Sequence, residues 1–179
     1  MVVVSVSGIS GAGKTTISKA LCKQLEHAVA LYFDDYEFRR QPDDIGEWIE
    51  NGSDADAWDF SLLEADIEQI MQLKQYDYLI LDYPFGKSEY SIKKYIDFAV
   101  YIDTPLDICL ARRMIRDYRF ASTSDIMSAL SSYLNKSRKY YILSESGIKA
   151  FDLVIDGMLT TDAMTAKIIK VLTSREDNT

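Results

Sequence analysis

Eight residues near the start, Gly8-Ile9-Ser10-Gly11-Ala12-Gly13-Lys14-Thr15, follow an unbroken β-branched run, Val2 to Ser7. They fit G-x-x-x-x-G-K-[ST] between a strand and a helix, where such a loop cradles phosphate. The reason is chemical. Glycines permit positive φ and carry no side chains, so successive backbone N–H groups converge on one anion. The helix that opens at Gly13 points its positive end at the same oxygens. Lys14 supplies a point charge for the β- and γ-phosphates, and Thr15 a hydroxyl for Mg²⁺. The nucleotide-binding set is therefore Gly8, Ser10, Gly11, Ala12, Gly13, Lys14, Thr15 and Thr16. A dinucleotide fingerprint is excluded, because Lys14 and Thr15 stand where its third glycine belongs.

A phosphate loop needs a parallel sheet behind it, and the remaining pattern supplies one. Apolar strands are expected at Val2–Ser7, Ala28–Phe33, Tyr78–Leu81, Phe98–Ile102 and Leu153–Ile155. Helical spacing is expected at Thr15–Glu26, Leu62–Leu73, Leu106–Arg116, Ile126–Leu143 and Ala163–Leu172. Alternating strands and helices predict an α/β three-layer sandwich with a five-stranded, mostly parallel sheet. The 179 residues suit one domain, 1–179. The polar, acidic stretch Gln41–Asp59 reads as an irregular insertion over the carboxyl ends of the strands, where ligands of such folds bind.

Composition narrows the partners. Net charge is −8, which argues against a nucleic acid polymer, since that partner demands a basic face. No run reaches the roughly 18 apolar residues of a membrane span. Met1–Val6 is too short and lacks the basic start of a signal peptide. Cys22 and Cys109 sit among apolar residues and read as buried thiols, pointing to a cytoplasmic protein. The one histidine, His27, builds no triad by itself, and no Cys/His cluster offers a zinc site. A small-molecule substrate is expected, with a monomer or a homo-oligomer both open.

Carboxylates and arginines extend the reading. Asp34 and Asp35 follow the second strand; a carboxylate there would accept a hydroxyl proton or orient a metal-bound water, with a helix cap or a solvated turn the alternative. Asp82 ends the third strand as a second metal-side candidate, with capping of the next turn the alternative. Arg112, Arg113, Arg116 and Arg119 cluster on one helix and its end, suited to clamping a transferring phosphoryl group, with a solvated basic face paired to nearby acids the alternative. Asp59 either caps a helix or accepts from a sugar diol; Trp58 and Tyr118 are core residues or stacking faces. Asn135-Lys136 runs into Ser137-Arg138, so no Asn-Lys-x-Asp base-reading motif is present. The small chain with an arginine-bearing helix favours a small-molecule kinase over a switch or motor.

These motifs resemble the uridine kinase and nicotinamide riboside kinase family of phosphate-loop kinases, from Val2 to about Leu172. The resemblance implies the P-loop nucleoside triphosphate hydrolase fold with a short lid at about 112–124 and an acceptor-binding insertion at about 36–60. Phe33-Asp34-Asp35-Tyr36 is similar to the family's catalytic motif, which implies Asp34 as general base near the metal and Tyr36 at the acceptor. Ala55-Asp56-Ala57-Trp58-Asp59 looks like its ribose-binding segment, with Asp59 on the sugar and Trp58 stacked on the base. Ala111 to Asp117 is similar to the start of its lid, which implies Arg113 near the sugar, Arg116 near the phosphates with Arg112 in support, and Tyr118 as the opposite stacking face. Two departures stand out. Asp82-Tyr83-Pro84 replaces the family's usual glutamate and glycine, and the histidine-proline signature of uridine kinases is absent. The resemblance implies ATP and Mg²⁺, with Asp34 joining Thr15 and Asp82, the metal-side candidates read from the residues themselves, and a γ-phosphoryl transfer to the 5′-hydroxyl of a nucleoside-like acceptor. A nucleoside monophosphate, a shikimate-like acid or a pantothenate-like alcohol are alternative acceptors, and a non-catalytic nucleotide-binding regulator is the alternative of another class.

Overall fold

The computed structural model describes residues 1–88, 91–145 and 151–176. Five parallel strands, β1 (Val2–Ser7), β2 (Ala28–Tyr32), β3 (Tyr78–Asp82), β4 (Phe98–Asp103) and β5 (Leu153–Asp156), lie in the order β2-β3-β1-β4-β5. The chain leaves β1 for the far edge, returns to fill the gap with β3, then builds outward on the other side. That reversal opens a crevice at the carboxyl ends of β1 and β3, the place where open α/β sheets bind ligands. Register sets the two ends side by side: Val6 pairs with Asp82 and Tyr32 with Asp82.

Side chains alternate across the sheet, so each face has its own core. On one face Val4, Val6, Ile80, Val100 and Ile102 pack against helices α1 (Lys14–Gln24), α4 (Leu106–Asp117) and α7 (Thr161–Glu176) through Ile17, Leu21, Cys109 and Ile168. On the other, Val3, Leu79, Leu81 and Ala99 pack against α3 (Ser61–Leu73) through Leu63 and Ile67. Each of the buried Val, Leu and Ile side chains among these contributes about 1.5–3 kcal/mol relative to exposure. The arrangement is the expected three-layer α/β sandwich.

Two expectations needed correction. The insertion is not wholly irregular: it contains helix α2 (Ile45–Glu50) and a short 3₁₀ turn, Ala55–Ala57. Asp44 caps α2 by accepting from Gly46 N at 2.8 Å and Glu47 N at 3.1 Å, while Trp48 anchors it in the core. The helix expected over Ile126–Leu143 is three pieces, α5 (Thr123–Ser132), a π turn (Tyr133–Ser137) and α6 (Arg138–Glu145). A π turn widens the ladder by one residue and so rotates α6 relative to α5. Among the described residues no helix is long and apolar enough to cross a membrane.

Candidate active site

The loop after β1 takes the conformation its glycines allow. Gly11 and Gly13 have φ of +91° and +107°. At Gly11 a Cβ would also lie 2.4 Å from the carbonyl oxygen of Cys109, so helix α4 presses directly on the loop. The far side of the loop is tied down as well. Ala12 O accepts from Thr104 Oγ1 at 3.0 Å and from Arg112 Nη1 at 3.5 Å. Lys14 is the first residue of α1, and its ammonium curls back to donate to Ile9 O at 3.4 Å. Burial lowers the Lys14 pKa; the Asp82 and then the Asp34 carboxylate oppose that shift, and Arg116 adds to it. Four charged side chains from four segments therefore act on one another at this point.

Thr15 Oγ1 donates to Asp82 Oδ2 at 2.5 Å, joining the first turn of α1 to the end of β3. Asp82 is buried, and burial raises its pKa; the Thr15 hydroxyl and Lys14 pull the other way, while Asp34 and Asp35 add to the rise. A hydroxyl and a carboxylate side by side form a hard-oxygen pair of the kind that holds Mg²⁺ together with substrate phosphates. The described residues contain no cluster of three His, Cys, Asp or Glu able to hold a metal without such help.

Asp34 sits in the 3₁₀ turn Phe33–Asp35 after β2. It lines the same cleft as Gly8, Ile9, Ser10, Lys14 and Asp82, a space of about 1100 Å³. The cleft continues past the loop between α2 and the π turn with α6, where Trp48, Tyr140 and Tyr141 form part of its wall. Arg116 is exposed, pairs with Asp117 through Nε–Oδ1 at 2.5 Å, and also feels Asp34. Arg113 donates to the Tyr141 hydroxyl at 2.5 Å, which puts it behind a wall residue of the cleft.

Besides Arg113, four expected acceptor residues lie elsewhere than the cleft wall. Trp58 is 7% exposed and buried within an aromatic cluster. It stacks on Phe60 at 5.6 Å and 5° and meets Phe33, Phe38, Trp48 and Phe85 edge-on. Seven Phe and two Trp in this chain made an aromatic core available, and burial of the large ring won over exposure in the cleft. Asp59 spends its Oδ1 on Ser61 N, 3.0 Å away, at the start of α3; the Ser61 bonds lower its pKa. Tyr36 gives its hydroxyl to Asp66 of α3 at 2.7 Å. Burial and that carboxylate raise its pKa. Tyr118 closes the end of α4, half-buried. The wall residues that take the place of these four, Trp48, Tyr140 and Tyr141, carry only a weak signal in the sequence: a Tyr-Tyr pair in a helical stretch, and Asp43-Asp44 ahead of Ile45 as a capping signature.

Comparison with known proteins agrees with this geometry. A model of the Phosphoribulokinase / Uridine kinase family matches residues 77–163. A protein of Staphylococcus epidermidis named uridine kinase is 26% identical, over 97% of this chain and 98% of its own. One of Brevibacillus brevis with the same name is 26% identical, over 99% and 97%. Among solved structures, shikimate kinase of Aquifex aeolicus superposes with a TM-score of 0.53 at 14% identity, covering 97% of this chain and 98% of that one. That likeness speaks for the fold alone, and the fold is that of the P-loop kinases. In residues 77–163, which the family model matches, and in relatives aligned over nearly the whole chain, the protein is similar to the phosphoribulokinase and uridine kinase family.

Proposed function

We propose that this protein is an ATP-dependent kinase that transfers the γ-phosphoryl group to a hydroxyl, with the 5′-hydroxyl of a nucleoside as the favoured acceptor. One observation carries the reading: Lys14, Asp82 and Asp34, from three separate elements, line a single cleft with the phosphate loop. In the reaction the acceptor hydroxyl gives its proton to the Asp34 carboxylate. Its oxygen bonds to the γ-phosphorus, the bond from that phosphorus to the bridging oxygen breaks, and ADP leaves. Lys14, Arg116 and, in support, Arg112 offset the charge on the phosphate oxygens. Thr15 and Asp82 would hold Mg²⁺, with Asp34 near it; when bound, the ion would supply neutralisation of phosphate charge. Positioning and electrostatics provide most of the rate in such chemistry, since little covalent help is needed.

The similarity to proteins named uridine kinase over nearly the whole chain supports a nucleoside acceptor. The reading is tested by ADP release across a panel of nucleosides, sugars and small alcohols. Wild type is expected to turn over at least one nucleoside. Asp34→Asn is expected to lose about a hundredfold or more, the usual cost of removing a general base. ATP binding without ADP release for any acceptor would overturn the kinase reading in favour of a nucleotide-binding regulator.

A further inference from the structure

Tyr140 belongs to no motif, yet it occupies a singular place. It lies on α6 and lines the same cleft as the phosphate loop. Across from it stands Gly46 of α2, which is buried; a Cβ there would fall 1.9 Å from Tyr140 Cε2 and 2.3 Å from Cζ. Only the absence of a side chain at 46 lets the ring lie where it does. Ion pairs flank this contact on both sides: Lys136 with Asp44, and Lys139 with Glu50 at 2.5 Å. Helix α2 is thereby held to the π turn and α6 on either side of the tyrosine. Trp48, two residues beyond Gly46, also lines the cleft, with its Nε1 donating to Asp54 O at 2.8 Å. A ring backed by peptide on one side and open to a cleft on the other is a stacking surface.

The charges around it point the same way. Besides Asp34 and Asp82, the lining carries Asp43, Asp44 and Asp54; its cations are Lys14 and Lys136. Lys136 is already paired with Asp44, and Lys14 belongs to the donor end. A phosphate on the acceptor would meet carboxylates rather than a basic partner, and like-charge juxtaposition is an effective way to reject a wrong ligand.

We propose that Tyr140, held by Gly46, is a specificity-determining residue: the flat ring of an unphosphorylated acceptor stacks on it, and acceptors that already carry a phosphate are turned away by the acidic wall. This deepens, and rests on, the kinase reading above. It is tested by calorimetric titration of uridine, cytidine, adenosine and guanosine, and of their 5′-monophosphates, into the protein loaded with Mg²⁺ and a non-hydrolysable ATP analogue. Wild type is expected to bind a nucleoside at least about tenfold more tightly than its monophosphate. Tyr140→Ala is expected to weaken that nucleoside about tenfold or more, the range of a lost base-stacking contact. Tyr140→Phe should retain it, because the ring remains. Gly46→Ala, a favourable substitution for a helix in itself, should weaken it as Tyr140→Ala does by displacing the ring. Affinity for the ATP analogue is expected to stay unchanged in all three and reports that the fold is intact. Nucleoside binding without turnover would sink the kinase reading and leave Tyr140 in place. Equal nucleoside affinity in wild type and Tyr140→Ala, tighter binding of monophosphates, or no nucleoside binding at all would overturn this inference.

Discussion

The Thr15 hydroxyl and the Asp82 carboxylate meet at 2.5 Å, linking residues 67 positions apart in the chain. One begins the helix behind the phosphate loop and the other ends the strand next to it. Short as it is, the aspartate side chain reaches the threonine directly. The contact brings a buried carboxylate to the hydroxyl that a phosphate-bound cation would share.

The burial of Asp82 sets a stability cost with a definite sign. Its folded pKa lies above the ordinary carboxylate value, so at pH values between the two the folded chain holds a proton that the unfolded chain has released. Stability from this group is present below the unfolded pKa and falls as pH rises through the folded one. At neutral pH Asp82→Asn is therefore expected to raise Tm, by about 2–4 °C for each roughly 1 kcal/mol recovered in a chain this size. The same variant is expected to lose Mg²⁺-dependent nucleotide binding. Calorimetric melting at pH 4 and pH 7.5 checks the first part: the gain should shrink at the lower pH.

Gly11 has no room for a side chain. Its φ of +91° and the 2.4 Å approach to Cys109 O act together. Gly11→Ala is expected to push α4 off the phosphate loop, lowering Tm and weakening ATP binding at least tenfold. Gly13→Ala offers a contrast, since nothing lies within 4 Å of a Cβ there. It should carry only the backbone cost, about 1 kcal/mol for a non-glycine residue in the left-handed region. Melting curves and ATP titrations of the two variants compare them directly.

Trp58 is expected to behave as a core residue. Trp58→Ala should cost about 3–5 kcal/mol of stability, as for large aromatic truncations. Its Nε1 is buried with no hydrogen-bond partner among the described residues. Trp58→Phe removes that orphaned donor with part of the ring and should cost much less. Denaturant unfolding measures both, and the acceptor KM of Trp58→Phe is expected to match wild type.

The two lysines that hold α2 to the α6 side are exposed, so their pairs add little to global stability. Lys136→Ala combined with Lys139→Ala is expected to leave Tm nearly unchanged. Acceptor KM should rise several-fold, because the wall bearing Tyr140 loses its tether, while ATP KM stays constant. Steady-state kinetics with each substrate varied in turn separates the two.

Much of the donor side was legible in the linear chain. The loop from Gly8 to Thr15, the helix behind it and the five strands are local features: spacing, β-branching and glycine placement specify them without knowledge of distant neighbours. Asp34 and Asp82 could be named because strand ends in a parallel sheet all face one crevice. The acceptor side was not legible in that way. Trp58, Tyr36 and Asp59 were reasonable wall residues by motif, but whether a ring faces a cleft or a core depends on what packs behind it. Here Phe33, Phe38, Phe60 and Phe85 close around Trp58, and α3 claims Tyr36 and Asp59. Tyr140 reaches the cleft through a one-residue π widening and a glycine 94 positions earlier, Gly46. Short-range rules of propensity and turn chemistry write the phosphate loop; long-range packing of aromatic volume chooses which rings face the cleft and which the core.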